Sequence, residues 1–302
     1  MVEKKLNIYE VGPRDGFQSV STDCGIINTE TKIEIITGLI NSGLKHIQIT
    51  SFVSPKAIPQ LADAKIVTEN LLENNKDIDL YALVPNLFGA KRAYELDMKK
   101  VAYVVSFSKS HNKANINRTH EESFNEFKKI REELPDLKIS LNLATTFGCP
   151  FEGKYRNPDK VVEFIQPYID LGVNDLVLCD TVGLADPKQV ENFISHIRKR
   201  YPGLELGVHF HDTRGLGMAN SIKAIELGVK NIEVALGGLG GCPFAPGASG
   251  NLSSEDLVWA LNEMEYDTGI DFDKMVKLAK KQKELIPGNY SGNHINILEK
   301  GE

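Results

Sequence analysis

Short runs rich in β-branched residues alternate along this chain with longer amphipathic stretches. The runs predict eight strands, at 6–11, 46–50, 79–84, 100–105, 138–144, 175–179, 205–211 and 231–236. The stretches that follow them predict eight helices, at 29–42, 60–74, 87–96, 120–133, 158–171, 187–201, 214–227 and 253–263. Repeated strand–helix units give parallel strands joined by right-handed crossovers, and eight units are enough to close a ring. The sequence therefore predicts an α/β fold, a (β/α)8 TIM barrel.

Glycines punctuate this pattern. Gly43, Gly172 and Gly228 each follow a predicted helix, where a glycine in the left-handed conformation ends the helix and leads into the next strand. The alternative fold is a doubly wound open sheet, but the segment after the first strand, 11–16, lacks the GxGxxG spacing of a phosphate loop. An extra C-terminal helix is predicted at about 271–285, and the Gly- and Asn-rich tail 287–302 is expected to be mobile. No linker interrupts the chain, so we expect one catalytic domain spanning 1–302.

Charge, apolar content and cysteine spacing indicate which partners and which cellular compartment to expect. The formal net charge of −6 is spread along the chain and argues against a nucleic-acid partner, which needs a basic face. No apolar stretch approaches the ~20 residues that span a bilayer, so no membrane association is expected. The four cysteines are widely separated and form no CxxC pair, which is typical of free thiols in a reducing compartment. The first residues run directly into the first predicted strand without a recognisable targeting segment, and we expect a cytoplasmic protein.

Two histidines end the seventh predicted strand. His209 and His211 are two residues apart, so on a strand they point to the same face. If that face is the barrel interior, both imidazoles converge at the C-terminal mouth, where barrel enzymes hold their active sites. Two imidazoles in this arrangement suit a metal ion. The alternative is a pair of unrelated core or interface histidines.

Arg14 and Asp15 leave the first predicted strand between Gly12-Pro13 and Gly16. Asp15 can give a hard oxygen ligand to the same metal, and Arg14 can offer its planar guanidinium to a developing oxyanion. A surface ion pair on a turn is the alternative.

A glycine-rich segment, 237–251, follows the eighth predicted strand. Its glycines permit unusual backbone angles and close approach to a ligand. Cys242 lies in its middle, where a thiol can donate or accept a proton, although an incidental cysteine in a flexible loop is the alternative. Asn251 ends the segment and can offer a carbonyl ligand, or can simply cap the next helix.

Asp180 ends the sixth predicted strand, where it can orient Arg14 or the substrate, or serve as a structural turn partner. Cys149, at the end of the fifth, is expected to be a small packed thiol. His294 in the tail is not expected to reach a site. The predicted ligand set is Asp15, His209, His211 and Asn251. Oxygen and nitrogen ligands without thiolate favour a divalent Mg²⁺ or Mn²⁺ ion, with zinc as an alternative.

Longer motifs of the chain are similar to those of a known family. They are Glu-Val-Gly-Pro-Arg-Asp-Gly at 10–16, Thr-Ser-Phe-Val-Ser-Pro-Lys at 50–56, Gly-Cys-Pro-Phe-Glu-Gly at 148–153, His-Phe-His-Asp-Thr at 209–213 and the glycine-rich segment at 237–251. From about residue 6 to 286 the chain resembles the 3-hydroxy-3-methylglutaryl-CoA lyase family, within the wider group of metal-dependent lyase and synthase barrels. The Arg-Asp and His-x-His pairs suggest only the wider group, whereas the Cys242 segment narrows it to the lyase branch.

The resemblance implies a retro-Claisen lyase that cleaves an acyl-CoA, 3-hydroxy-3-methylglutaryl-CoA, to acetoacetate and acetyl-CoA. It implies that the metal acidifies the substrate hydroxyl, that Arg14 stabilises the enolate oxygen and that Cys242 protonates the enolate carbon. Asp180 and His209 are both candidates for moving the hydroxyl proton. Further substrate contacts are implied at Gln18, Gln48, Ser51 and Thr181, and the resemblance suggests a homodimer.

The chain departs from the family at inward strand ends. Gln48 replaces a glutamate that the family usually has near Arg14, and Cys179 replaces a glycine. Since inward strand ends contact the substrate in barrel enzymes, these differences leave the identity of the acyl group open. One alternative is a related aldol or Claisen enzyme, of lyase or condensing direction, acting on another 3-hydroxyacyl-CoA or on a 2-oxo acid. A catalytically silent binding barrel is a further alternative, which Gln48 supports and the intact ligand set opposes.

Overall fold

Eight parallel strands close into a barrel in the computed structural model, which describes residues 5–241 and 250–297. Going round the ring, the order is β1-β8-β7-β6-β5-β4-β3-β2. The strands are β1 Asn7–Glu10, β2 His46–Ser51, β3 Asp79–Val84, β4 Lys100–Ser106, β5 Lys138–Ala144, β6 Asp175–Asp180, β7 Glu205–Phe210 and β8 Asn231–Val234. The predicted (β/α)8 barrel is confirmed.

Helices connect the strands round the outside of the ring. They are α1 Thr29–Asn41, α2 Ala64–Leu72, α3 Leu87–Glu95, α4 Lys109–Ile116, α5 His120–Glu133, α6 Asp159–Asp170, α7 Pro187–Arg200, α8 Gly217–Glu226, α9 Ser254–Glu263 and α10 Phe272–Leu285. All the predicted helices are present, and α10 is the extra C-terminal one. The helix predicted at 60–74 is shorter, because Pro59–Leu61 forms a separate 3₁₀ turn ahead of α2. Helix α4 was not predicted.

Local signals explain where the helices begin and end. Thr119 and Glu122 form a reciprocal capping box at the start of α5, and the Asp271 side chain caps α10 by accepting from the N–H of Lys274. The glycines predicted to follow helices, Gly43, Gly172 and Gly228, have φ values of +103°, +85° and +84°, so their left-handed conformation is confirmed.

The main hydrophobic core lies between the sheet and the helices, with large, fully buried side chains such as Phe127 and Phe193. The barrel interior is more polar, and a separate small cluster of Tyr9, Tyr81 and Ala102 lies apart from the main core. At the N-terminal side of the strands the Lys100 ammonium lies over the rings of Tyr9 and Tyr81, 4.7 Å and 5.1 Å from their centres. Charged and aromatic groups thus occupy that end.

Lys100 is also 3.3 Å from Asp79 and 3.6 Å from Asp175. These carboxylates satisfy the ammonium at the N-terminal side, whereas a cleft of about 880 Å³ opens at the C-terminal ends of the strands. Within the described chain, no helix is both long enough and apolar enough to cross a membrane.

The described part of the C-terminal tail contacts the outer helices of the barrel. Ile295 is buried, Tyr290 donates its hydroxyl to the carbonyl of Ile286 at 2.8 Å, and His294 bonds Asp256 at 2.6 Å. The tail therefore packs on α9 and α10 as far as residue 297, and its last residues, 298–302, lie outside the described part. His294 lies beside the Trp259 and Phe272 rings, in agreement with the expectation that it does not serve the predicted metal site.

Candidate active site

Three predicted ligands meet at the C-terminal mouth of the barrel. Asp15 follows β1, while His209 lies in β7 and His211 just beyond it. The ligand atoms that these three side chains offer all lie within 4.8 Å of one another. His209 and His211 are buried, and their ring centres are 5.1 Å apart. The i, i+2 spacing of the two histidines therefore does place both imidazoles on the interior face.

A wide turn presents Asp15. Gly12–Gly16 forms a single π-helical turn directly after β1, and the buried carboxylate of Glu10 fixes where it starts. Oε1 of Glu10 accepts from the backbone N–H of Gly12 at 2.7 Å and of Leu236 at 2.9 Å, and Oε2 accepts from the Ser254 hydroxyl at 2.5 Å. Glu10 thus ties the end of β1 to the end of β8 and to α9.

Asn251 completes the predicted set. Its amide donates to Oδ2 of Asp15 at 2.9 Å and to the carbonyl of Leu239 at 3.0 Å, and its backbone pairs with that of His211. A glycine at 240 is needed beside it, since a Cβ there would lie 2.7 Å from the Asn251 amide nitrogen. Asn251 is therefore held against Asp15 by side-chain and backbone contacts together.

Two atoms at this cluster test whether a metal ion fits. Oδ1 of Asn251 and Nδ1 of His211 are buried and have no hydrogen-bond partner among the described residues. Buried polar atoms are rarely left unpartnered, and both of these carry lone pairs suited to a cation. The available donors are oxygen and imidazole nitrogen, the set that hard or borderline divalent ions accept. The residues present therefore fit a divalent metal.

The electrostatics of the cluster agree with that fit. Burial alone would raise the pKa of Asp15, but the charges of Arg14, His209 and His211 outweigh it and hold the pKa below its usual range. Burial and the neighbouring His209 lower the pKa of His211 to about 3. Burial would also lower the pKa of His209, yet its hydrogen bond to Glu233 and the charge of Glu233 raise it. At neutral pH Asp15 is thus a carboxylate and His211 a neutral imidazole, the forms that bind metals.

Arg14 lies between two partners. Its Nε donates to Oε1 of Gln48, and its Nη1 donates to Oδ1 of Asp15. Gln18 also donates to Oδ1 of Asp15, at 2.9 Å. The structure therefore brings Arg14, Gln18 and Gln48 to the Asp15–His209–His211 cluster. The amide nitrogen of Gln48 is buried without a hydrogen-bond partner in the described part of the chain.

Asp180 and Ser51, two further predicted site residues, form hydrogen bonds with the backbone. The two carboxylate oxygens of Asp180 accept from the backbone N–H groups of Leu184 and Ala185, both at 2.9 Å, and burial raises the pKa of Asp180 to about 6. This is the turn-partner contact that the sequence left open. The buried hydroxyl of Ser51 donates to the carbonyl of Leu83 at 3.1 Å, so it is engaged by backbone.

Thr181 lines the cleft, where its hydroxyl oxygen accepts from the N–H of Thr145 at 2.9 Å. Cys242 lies outside the described residues. Cys149 is buried, 2.9 Å from the Ser108 hydroxyl.

Sequence reasoning missed Glu233 and Asn142. Both side chains are buried and line the cleft with His209. Glu233 accepts from Nδ1 of His209 at 3.0 Å and from the amide of Asn142 at 3.2 Å. An acidic side chain in the buried run Asn231–Val234 was the available signal, since an interior carboxylate is expected to have a partner.

Comparison with known proteins shows which family this chain belongs to. The family model described as HMGL-like matches residues 5–281. The chain belongs to the HMGL-like family. It is 39% identical over 298 residues to the hydroxymethylglutaryl-CoA lyase of Bacillus subtilis, covering 98% of each chain. It is 36% identical over 282 residues to the (R)-citramalyl-CoA lyase of Chloroflexus aurantiacus, covering 90% of this chain and 88% of the relative.

A solved structure shows the same likeness in three dimensions. The HMG-CoA lyase from Acinetobacter baumannii, in complex with coenzyme A and 3-methylmalate, superposes with a TM-score of 0.92 at 39% identity. The match covers 100% of this chain and 98% of that one. The resemblance drawn from the sequence motifs is thereby confirmed for this HMGL-like protein.

Proposed function

We propose that this HMGL-like protein is a divalent-metal-dependent carbon–carbon lyase that cleaves 3-hydroxy-3-methylglutaryl-CoA to acetoacetate and acetyl-CoA. The observation that carries the proposal is the joint placement of Arg14 and the Asp15–His209–His211 cluster in one cleft of about 880 Å³. Clefts of several hundred cubic ångströms are typical of enzyme sites that bind small-molecule ligands. The relatives named as hydroxymethylglutaryl-CoA lyases support the same conclusion over nearly the whole chain.

The proposed reaction breaks the bond between the carbinol carbon and the thioester's α-carbon. The hydroxyl loses its proton, its oxygen becomes the ketone of acetoacetate, and the electrons of the broken bond form the enolate of acetyl-CoA. That enolate then takes a proton at carbon. When bound, a divalent ion supplies the Lewis acidity that makes the hydroxyl easier to deprotonate.

The chain's own residues are proposed to serve each stage. Asp15, His209, His211 and Asn251 hold the ion, and Arg14 stabilises the enolate oxygen with its guanidinium. Of the two candidate acceptors of the hydroxyl proton, Asp180 and His209, we propose Asp180, because Nδ1 of His209 is hydrogen-bonded to Glu233 and its Nε2 would bind the ion. The pKa of Asp180, raised to about 6 by burial, suits proton exchange near neutral pH.

Cys242 is proposed as the proton donor to the enolate carbon. Four further residues are proposed to contact or support the acyl group, namely Gln18, Gln48, Ser51 and Thr181. Gln18 and Thr181 line the cleft, in agreement with this role. The outer part of the cleft, between residues 53–58 and α4, is proposed for the pantetheine arm.

A direct assay tests the function. The protein is incubated with 3-hydroxy-3-methylglutaryl-CoA and either Mg²⁺, Mn²⁺ or Zn²⁺ after removal of metal by EDTA, and acetyl-CoA and acetoacetate are quantified by chromatography. Equimolar release of both products, with Mg²⁺ or Mn²⁺ restoring the highest rate, is expected. Absence of release with every metal, together with turnover of another acyl-CoA, would overturn the assignment of substrate.

A pair of histidine variants tests the site. His211→Ala is expected to lose metal binding and lyase activity together. His294→Ala is the matched control, because His294 bonds Asp256 on α9, away from the cleft, and should keep both. Activity retained in His211→Ala would remove the proposed metal site.

Cleavage of citramalyl-CoA is the second candidate function. The observation that favours it is Gln48, whose unpartnered amide nitrogen leaves a buried hydrogen-bond donor next to Arg14. A carboxylate attached directly to the carbinol carbon offers such a donor a closer acceptor. The same assay with citramalyl-CoA, read as pyruvate and acetyl-CoA, discriminates the two substrates through their kcat/KM values.

We propose that residues 1–302 act as one catalytic domain, as a homodimer, in the cytoplasm. Sedimentation of the purified protein tests the assembly, since a chain of 33.5 kDa should then sediment as a species of twice that mass.

A further inference from the structure

Glu233 on β8 connects the Asp15–His209–His211 cluster with Asn142 in the wall of the cleft. Its carboxylate is buried and is contacted from two sides. Oε2 lies 3.0 Å from Nδ1 of His209. The amide nitrogen of Asn142, on β5, lies 3.2 Å from Oε1 and 3.3 Å from Oε2. One carboxylate thus bridges β7 and β5 across the barrel interior.

The contact with His209 decides which ring nitrogen is available. A neutral imidazole carries one N–H donor and one lone-pair nitrogen, and a carboxylate at Nδ1 selects the tautomer with the proton on that atom. Nε2 of His209 then keeps its lone pair for the cluster with Asp15 and His211. Carboxylates that hold a ligating histidine in this way fix the ring orientation and increase its strength as a ligand.

The contact with Asn142 fixes the orientation of the Asn142 amide. Because a carboxylate only accepts hydrogen bonds, the Asn142 nitrogen must point to Glu233 and the oxygen must point away. That oxygen is buried and has no partner within the described residues, and Asn142 lines the cleft. An unpartnered acceptor therefore lies in the wall of the cleft that Asp15, His209 and His211 also line.

We propose that Glu233 is a positioning residue, which holds His209 with Nε2 toward the metal and holds Asn142 with its amide oxygen toward the acyl end of the substrate. The second half rests on the proposed function, because it requires an acyl group in this cleft. A purely structural carboxylate would affect only folding stability, whereas a positioning residue affects metal affinity in a folded protein.

The test measures metal binding without substrate. Wild type, Glu233→Gln, Glu233→Asp and Asp175→Asn are titrated calorimetrically with Mn²⁺, and the Co²⁺-loaded forms are compared by visible absorption. Glu233→Gln keeps the side-chain volume but turns a donor toward His209 or Asn142. It is expected to weaken Mn²⁺ binding about 10- to 100-fold, the usual effect of losing such a partner, and to change the Co²⁺ spectrum.

Two further variants serve as controls for Glu233→Gln. Asp175→Asn neutralises another largely buried carboxylate of the barrel, one that lies 3.6 Å from Lys100, and it should bind Mn²⁺ like wild type. Glu233→Asp keeps the charge one methylene further away and should fall between wild type and Glu233→Gln. If Glu233→Gln does not fold, weakened Mn²⁺ binding in a folded Glu233→Asp supports the proposal.

The outcomes also separate this inference from the proposed reaction. Wild-type Mn²⁺ affinity and an unchanged Co²⁺ spectrum in the folded Glu233 variants would overturn the positioning role, whatever the enzyme cleaves. Weakened metal binding in Glu233→Gln, in a wild type that releases no acetyl-CoA from 3-hydroxy-3-methylglutaryl-CoA, would support the role and count against that substrate alone.

Discussion

The side-chain amide of Asn251 donates to Oδ2 of Asp15 at 2.9 Å, although the two residues are 236 positions apart in the chain. The contact joins the turn after the first strand to the segment after the last. Since β1 and β8 are neighbours in the closed ring, closure of the barrel is what brings them together. The proposed metal site therefore forms only when the ring is complete.

Replacing Asn251 by alanine should weaken metal binding without unfolding the barrel. The change removes both the hydrogen bond to Asp15 and the unpartnered amide oxygen that we propose as a ligand. A loss of at least about tenfold in Mn²⁺ affinity is expected, by analogy with groups that support metal ligands, and calorimetric titration measures it.

The matched control for this variant is Asn220→Ala. Asn220 is a buried amide on α8 that donates to the carbonyl of Ala185 at 3.1 Å, so its removal should lower the melting temperature and leave Mn²⁺ affinity unchanged. Equal affinities in Asn251→Ala and wild type would exclude Asn251 from the ligand set.

The strands and most helices of this fold were predictable because each buries a periodic apolar face. Helix α4 was not, because its sequence, Lys-Ser-His-Asn-Lys-Ala-Asn-Ile, has no apolar stripe. Polar contacts stabilise it instead. The Ser108 side chain caps its first turn by accepting from the N–H of His111, and the buried amide of Asn112 accepts from the N–H of Ser106 and donates to Ser123.

The Asp15–His209–His211 cluster was predictable because barrel topology alone brings the C-terminal strand ends together. The Glu233 contacts were not. Which inward side chains touch across a barrel depends on the stagger of the strands, and a sequence does not reveal that stagger. The same reason explains Ser51, whose hydroxyl bonds the neighbouring strand at Leu83.

A buried carboxyl at Glu10 predicts a pH-dependent stability. Burial raises its pKa from 4.5 to about 7, so between these values the folded state holds a proton that the unfolded state has lost. The stability should therefore be greatest below pH 4.5 as far as this group is concerned, fall as the pH rises toward 7, and stay level above it. The loss is on the order of 3 kcal/mol, since one pKa unit corresponds to about 1.4 kcal/mol.

Glu10→Gln should remove that dependence. The glutamine oxygen can still accept from Gly12 and Leu236, and its nitrogen can donate to Ser254, so the contacts are kept without an ionisable group. Urea unfolding of wild type and variant between pH 5 and pH 8 measures the difference, with the exposed Glu163→Gln as control. Parallel pH profiles for wild type and Glu10→Gln would show that Glu10 does not titrate in this range.

Gln48→Glu should change substrate preference. The new carboxylate would still accept from Nε of Arg14, but it would place a negative charge where the unpartnered amide nitrogen now lies. Because repulsion falls with distance, a carboxylate bonded directly to the carbinol carbon should suffer more than one a methylene away. The ratio of kcat/KM for citramalyl-CoA to that for 3-hydroxy-3-methylglutaryl-CoA should fall about tenfold, equivalent to roughly 1.4 kcal/mol.

Gln48→Met separates charge from simple loss of the amide. Methionine keeps the approximate volume without a donor or a charge, so it should reduce both kcat/KM values with a smaller change in their ratio. If the ratio of the two kcat/KM values is the same in wild type, Gln48→Glu and Gln48→Met, then residue 48 does not determine which acyl group is preferred.

Asn142→Leu should raise KM for the acyl-CoA while leaving metal affinity close to that of wild type. Leucine has the same branched arrangement of side-chain atoms but lacks the unpartnered amide oxygen in the wall of the cleft. Glu233 would lose one of its two contacts and keep His209, which lies 3.0 Å away, so the proposed metal ligand stays oriented. Loss of one hydrogen bond to substrate costs about 1 kcal/mol, or roughly fivefold in KM. Steady-state kinetics at saturating Mn²⁺, paired with Mn²⁺ titration, measures both quantities, and a variant that loses metal affinity with an unchanged KM would contradict this division of roles between Asn142 and Glu233.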